Sequence, residues 1–435
     1  MKAPRTFAWL VPCLVGTYLD VAAVDYATLD DARLKTLIEE ALERNPEVQA
    51  AAWHETAARE RIPTAGALPD PTLQLTGFVQ SPQTRVGPQV SGVAVNQRLP
   101  WFGKRTDRAE ATTVRAEIQR QAATARRADV VRQVKVAYYE LAYLDRALAI
   151  TGEERELLEH YESLARARYS QGVGLQQAVV KLQAEITRVL TRRLELTRLR
   201  IDMESTLNAL RDRPADAGVP DVKLGELPRV ALDQDRILAI GRTNAPEVKA
   251  AALAVDHGEV GVRLAERRYW PDLVLGATWG QIRARDDQPG RSNPPPDNGK
   301  DTLGLTLGIN IPLHRRSYDA GVREAVARRS ATQESHRLAL NGVDQAVRST
   351  GFAMTTIEAQ IALFENALVP QAEQALRATE EAYATGTTGV LDLLDSEEML
   401  LDVRLGLARL EADYMQALAD MERAIGAPFP LRSQQ

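Results

Sequence analysis

Apolar residues recur along this chain at two different periods. Leu303, Leu305, Leu307, Ile309 and Ile311 alternate with Thr302, Gly304, Thr306, Gly308 and Asn310. Leu273, Leu275, Ala277 and Trp279 alternate likewise with Val274, Gly276, Thr278 and Gly280, and residues 72–80 and 91–99 do so less cleanly. A period of two predicts β-strands with one apolar and one small or polar face. At about ten residues apiece, such segments match transmembrane β-strands with the apolar face toward lipid. Elsewhere the period is seven. Leu175, Leu182, Val189, Leu196, Met203 and Leu210 form one heptad stripe, and Leu393, Leu400, Leu407, Tyr414 and Met421 form another. Leu394, Leu401, Ala408 and Met415 run beside the second stripe. A helix with two seams needs neighbours on both flanks, which predicts a curved wall of helices in place of an isolated pair.

The helices are predicted to be very long. No proline occurs from Trp101 to Arg213 or from Leu313 to Val369, and proline is the residue that breaks helices. Long helices are therefore expected over about 104–212 and 316–426, with strands at about 72–80, 91–99, 273–282 and 302–311. At about 1.5 Å per residue, a helix from residue 106 to 169 reaches roughly 95 Å, so it must project from any globular body.

The same plan is written twice. Asn45-Pro46-Glu47-Val48-Gln49-Ala50-Ala51-Ala52 returns as Ala245-Pro246-Glu247-Val248-Lys249-Ala250-Ala251-Ala252. Pro71 before Leu73 and Leu75 is matched by Pro271 before Leu273 and Leu275, and Tyr169-Ser170-Gln171-Gly172 by Tyr383-Ala384-Thr385-Gly386. The repeat is too long for a solenoid and reads as a duplicated half-domain, over residues 24–230 and 231–427, with a tail at 428–435.

Four strands cannot seal themselves in lipid. Closed spanning barrels begin at about eight strands, because an open edge leaves backbone groups unpaired. Two copies would reach eight, with a lumen filled by side chains. The glycines and small polar residues on the inner face favour a wider lumen, and a homotrimer is the simplest closed solution. Trp101-Phe102 and Tyr269-Trp270 fall at the same end of their hairpins, where an interfacial aromatic girdle against lipid is expected.

Composition narrows the classes. Aromatics make up only 5% of the 435 residues, which suits long solvated helices better than a large compact core. A net charge of −5 argues against nucleic-acid binding. Lys2 and Arg5, the apolar stretch from Phe7 to Leu19 and the small residues Val21-Ala22-Ala23 read as an export signal over residues 1–23. Cys13, the only cysteine, lies within it; Pro12 stands where a lipidation signal wants a small residue. Cleavage after Ala23 would leave a chain with neither disulfides nor cysteine metal sites. His54-Glu55 starts like a zinc-protease motif, but Ala58 replaces the second histidine. Gly172-x-Gly174 follows no strand and lacks the third glycine of a dinucleotide loop. No enzyme activity, cofactor or metal site is expected.

This architecture resembles the TolC-type outer-membrane efflux channel family over nearly the whole chain, from about Leu34 to Gly426. The resemblance rests on the duplicated Pro-Glu-Val motif, on Gln97-Arg98-Leu99-Pro100-Trp101-Phe102-Gly103-Lys104, on the two Tyr-x-x-Gly turns and on Leu368-Val369-Pro370-Gln371-Ala372. The Pro-Trp-Phe-Gly-Lys run looks most like the branch serving heavy-metal cations, such as the cobalt-zinc-cadmium and copper-silver systems. The resemblance implies a mainly α fold, with duplicated long-helix hairpins forming an α-helical barrel in the periplasm. It also implies four strands per chain in a 12-stranded barrel crossing the outer membrane as a trimer, docked on a periplasmic adaptor and a resistance-nodulation-division inner-membrane pump.

The resemblance further assigns sites. Gly172, Val173, Gly174 and Leu175, with Gly386, Thr387, Thr388, Gly389 and Val390, would be the tips that meet the adaptor. Asp392 and Asp395, which share a helix face, would be rings of carboxylates at the constriction, where mutual repulsion should raise their pKa values. The family's tip-latching arginine is replaced here by Thr388, and its partners by Gln177 and Ala178. Closure is then left to apolar packing of Leu391, Leu393 and Leu394 or to other polar contacts. The rival readings are a multidrug or type I secretion duct of the same fold and, in another class, a periplasmic adaptor or coiled-coil assembly protein.

Overall fold

A computed structural model describes residues 31–228 and 233–429. The expected export signal with Cys13, the boundary between the halves near residue 230 and residues 430–435 of the tail lie outside the described residues.

The chain opens with α1 (Ala32–Arg44) and α2 (Pro46–Gly66), followed by β1 (Thr72–Gly77), the short β2 (Gln83–Thr84) and β3 (Gly87–Leu99). Two long helices follow, α3 (Lys104–Ser170) and α4 (Gln176–Leu210). The order then recurs: α5 (Gln234–Asn244), α6 (Pro246–Glu266), β4 (Leu273–Ile282), a one-turn α7 (Gln288–Ser292) and β5 (Thr302–Ile309). The closing helices are α8 (Arg315–Leu363), α9 (Val369–Thr385) and α10 (Val390–Ile425). Among the described residues no helix is long and apolar enough to cross a membrane.

The repeated motif has one backbone geometry. Asn45 and Ala245 both sit at φ −55°, ψ 124°, each ahead of a proline in the first helical turn, where its missing N–H costs nothing. Asn45 also accepts hydrogen bonds from the Glu47 and Val48 amides at 2.9 and 3.2 Å; the alanine in the second copy has no side chain to do so.

At 67 residues, α3 is about 100 Å long. Both stripes of α10 are buried: Leu393, Leu400, Tyr414 and Met421 along one, Leu401, Ala408 and Met415 along the other. Leu393 and Leu400 cluster with Leu158 of α3 and with Ala372 and Leu376 of α9, while Leu401 and Ala408 meet Ile150 of α3, so α10 has both α3 and α9 as neighbours. Leu182, Val189 and Leu196 of α4 are buried as the heptad predicts, but Leu175 is not. It precedes the first turn of α4, beyond the reach of the seam. The larger apolar cluster joins the middle of α3, through Val130, Val134 and Leu141, to Leu34, Leu207, Ile237, Met354 and Met421.

The second long stretch is interrupted where an unbroken run was expected. A π-helical turn spans Phe364–Leu368 between α8 and α9, directly ahead of Pro370. Proline lacks an amide donor and crowds the carbonyl four residues back, and a π turn widens the helix to make room.

Candidate functional site

The strands form an antiparallel sheet in the order β1-β3-β4-β5, with β2 paired to β3. Register shows which residues share a face, because directly paired residues point the same way. Leu73, Val95, Ala277 and Leu305 lie in one row, and Leu75, Val93, Trp279 and Leu303 in the next. This face is exposed along its length, with Leu305 at 88% and Leu75 at 72%. The other face carries Gln74, Ala94, Thr278 and Gly304 in one row and Thr72, Asn96, Gly276 and Thr306 in another. A continuous apolar sheet face of this kind marks a membrane or partner surface. β1 and β5 each pair on one side only.

Strand limits differ from expectation. β1 stops at Gly77, short of residue 80, and β3 starts at Gly87, ahead of 91. The Gln83–Thr84 pairing with Gly87 and Pro88 extends the hairpin. β5 ends at Ile309, short of 311, because the Asn310 side chain turns to accept from the Asp272 amide and its own N–H donates to the Asp272 carbonyl.

The joint between sheet and helices is a buried polar knot. Lys104 Nζ donates to Asp272 Oδ1 at 2.8 Å and to the Trp270 carbonyl at 2.6 Å. Asp272 also accepts from the Trp101 amide at 3.0 Å and from Arg98 at 2.7 Å. Above it Trp101 and Trp270 stack, centroids 5.4 Å apart and nearly parallel. Phe102 meets Trp101 edge-on, and Tyr269 leans on Tyr318. The two expected aromatic pairs are thus brought together, with Phe102 79% exposed.

At the opposite end the two helical turns lie side by side. Gly172 and Gly386 adopt φ of +74° and +78°, a left-handed conformation that suits glycine. Each closes a Schellman motif: Val173 N–H donates to the Arg168 carbonyl, and Thr387 N–H to the Ala382 carbonyl. Val173 and Leu175 are exposed, at 81% and 74%; Gly174, Thr387, Thr388 and Gly389 complete the turns. Val390 departs from the expected contact surface, since it is buried against the cluster containing Leu158 and Leu393.

A latch exists that was not foreseen. Arg168 donates to the carbonyls of Tyr383 and Ala384 at 2.8 and 2.7 Å, with its guanidinium 4.7 Å from the centre of the Tyr383 ring. Of the three leucines expected to pack the tip, Leu393 is fully buried and Leu394 half-buried, but Leu391 is exposed.

Asp392 and Asp395 are both exposed on α10. Asp392 has a local role: its carboxylate accepts from the Thr388 hydroxyl and, at 3.3 Å, from the Gly389 amide, capping the helix. These bonds hold its carboxyl below the ordinary carboxylate value within one chain, opposite to the rise expected from a ring. Among the described residues, no three His, Cys, Asp or Glu side chains converge on a metal position.

The profile of the family described as "Outer membrane efflux protein" matches residues 37–212 and 241–427. The chain belongs to the outer membrane efflux protein family. It is 22% identical to the outer membrane protein TolC of Vibrio cholerae over 416 residues, covering 90% of each chain. It is 22% identical to the cobalt-zinc-cadmium resistance protein CzcC of Cupriavidus metallidurans over 403 residues, covering 88% of this chain and 87% of that one. The crystal structure of the outer membrane protein VceC of Vibrio cholerae shares its fold, with a TM-score of 0.76 at 21% identity over 92% of this chain and 97% of VceC. As an outer membrane efflux protein, it is a transport protein of the outer membrane and not an enzyme.

Proposed function

We propose that this chain is the exit duct of a tripartite efflux assembly and that three copies close one conduit. Three sheets would pair edge to edge, β5 of one copy to β1 of the next, into a 12-stranded barrel, with the long helices continuing as a tunnel into the periplasm. The observation that carries this reading is the open sheet: one face apolar and exposed, the other small and polar, and both outer strands half-paired. Backbone groups on those edges must find partners in lipid, and a sister copy supplies them.

In this reading Trp101, Phe102, Tyr269 and Trp270 form the membrane-interface belt. The tip glycines with Val173, Leu175, Thr387 and Thr388 meet a periplasmic adaptor, and a resistance-nodulation-division pump drives the cargo. Asp392 and Asp395 project as carboxylate rings that favour cations. Asp392 would then both cap its helix and line the constriction, its pKa set by the balance of capping and ring repulsion.

Heavy-metal cations are the proposed cargo, on the similarity to CzcC, whose name carries cobalt, zinc and cadmium resistance, and on the Pro100-Trp101-Phe102-Gly103-Lys104 run. Deletion of the gene followed by a panel of toxic metals, dyes and antibiotics tests this. Selective sensitivity to divalent cations is expected; sensitivity to organic compounds alone would overturn the cargo assignment.

A further inference from the structure

Inward from the tip turns, α3 and α10 bury two acids at their interface. Glu154 on α3 is 7% exposed and Glu397 on α10 is 3% exposed, and they face each other across the helix interface, between the apolar cluster that joins Leu158 to Leu393 and the one that joins Ile150 to Leu401. Two ionised carboxylates have only acceptors and repel each other, so the pair can bond only when one of them carries a proton. Both occupy apolar seams: Glu397 lies between the buried Leu393 and Leu400, and Glu154 one turn from the buried Leu158. The Glu397 Oε2 atom is buried with no hydrogen-bond partner among the described residues. An ionised carboxylate is costly in such a place and a neutral acid much less so.

The surrounding charges leave the pair short of cations. Tyr161 of α3 gives its hydroxyl to Glu380 of α9, which adds a further negative charge beside Glu397. Glu185 of α4 adds another beside Glu154, and Arg192 of α4 opposes it. Arg404 of α10 also faces Glu397, but it is shared with Glu153 at 3.5 Å and Glu373 at 3.6 Å. Arg188 of α4 is taken up by Glu185 at 2.6 Å, and Glu398 of α10 borders a small cleft that Glu154 and Glu185 also line.

We propose that Glu154 and Glu397 are a proton-held clasp between α3 and α10: acid fastens it, and loss of the proton lets the first turns of α10 part from α3. Burial first, then the bond to Glu397 and that group's charge, push Glu154 up to about 9; burial likewise raises Glu397. Once the helices part, both acids meet water and return to ordinary carboxylate behaviour, so parting releases a proton. The sign follows. The clasp is at full strength below the ordinary carboxylate range of about 4 to 4.5. It weakens about tenfold per pH unit until the pH reaches about 9, and is constant above. Its effect on gating rests on the exit-duct reading above; the clasp itself does not.

The test compares hydrogen exchange at matched pH in purified full-length wild type and in Glu154→Gln/Glu397→Gln, whose two amides keep a hydrogen bond but cannot titrate. For residues 390–400, the ratio of wild-type to variant opening is expected to rise about tenfold per pH unit between pH 5 and pH 8. A ratio flat across that range overturns the clasp. A second measurement needs no variant: the infrared carbonyl band of a protonated acid should be present in the wild type at pH 7 and titrate away near about 9. Its absence at pH 7 also overturns the clasp. Conductance in planar bilayers separates the two ideas, since zero conductance at every pH would sink the exit duct while the exchange ratio still decides the clasp.

Discussion

Lys104 and Asp272, one from each half of the chain, form a buried ion pair with 2.8 Å between Nζ and Oδ1. Lys104 opens α3 and Asp272 precedes β4, so the pair pins the helix start of one copy to the strand start of the other. Removing one partner strands a buried charge, so Asp272→Asn or Lys104→Met is expected to cost about 3–5 kcal/mol in denaturant unfolding. Arg98 contacts the same carboxylate but is 60% exposed, so Arg98→Ala should cost only about 0–1 kcal/mol.

Arg168 fastens the two tip turns through two carbonyls and one aromatic ring. Arg168→Ala should speed hydrogen exchange at residues 383–390 and raise conductance in planar bilayers. Each lost bond to a charged donor is of order 1.5–3 kcal/mol, less where water reaches it. Arg168→Lys should be intermediate, because an ammonium lacks the planar fork that spans two acceptors. Unchanged exchange in both variants would remove Arg168 from the latch.

Asp392 and Glu154 should respond to pH in opposite senses. The Asp392 carboxylate is held below the ordinary value by the Thr388 hydroxyl and the Gly389 amide. Its capping is therefore complete above the ordinary carboxylate value and is lost as pH falls through its lowered one. Asp392→Asn should leave exchange in the first turn of α10 less dependent on acid than in the wild type. If Asp392 also lines a constriction ring, the same variant should lower the preference of the conductance for cations over anions.

The two faces of the sheet should tolerate charge differently. Leu305→Arg places a cation on the proposed lipid face and should cost about 2–4 kcal/mol near the middle of a bilayer, read as loss of outer-membrane insertion. Thr306→Arg, one residue on and on the other face, should insert normally and alter conductance instead.

Period, proline spacing and repetition made most of the fold legible. Heptad stripes predicted the buried faces of α4 and α10 because helix packing repeats along the chain, and alternation placed β4 to the residue. Contacts that join distant positions were not legible. Arg168 lies 215 residues from Tyr383 and Lys104 168 from Asp272, and no local period links them. Differences between the two copies were the available signal: Arg168 stands where the second copy has Ala382, and Asp272 where the first has Thr72. Val390 was misjudged because nearness to a turn suggested exposure, whereas it already lies in the first turn of α10 and faces the seam. The break before Pro370 shows that an absence of proline permits a long helix without fixing how it meets the proline that ends the run.

The central claim is that sister copies complete the sheet, and edge-to-edge crosslinking tests it most directly. Cysteines placed along residues 72–77 of β1 and along 302–309 of β5 can be combined in one chain whose only natural cysteine is Cys13. Oxidation in outer-membrane fractions should then give a covalent ladder ending at three chains, with either cysteine alone giving none. A product that stays monomeric for every pair of positions, and soluble without detergent, would contradict the account.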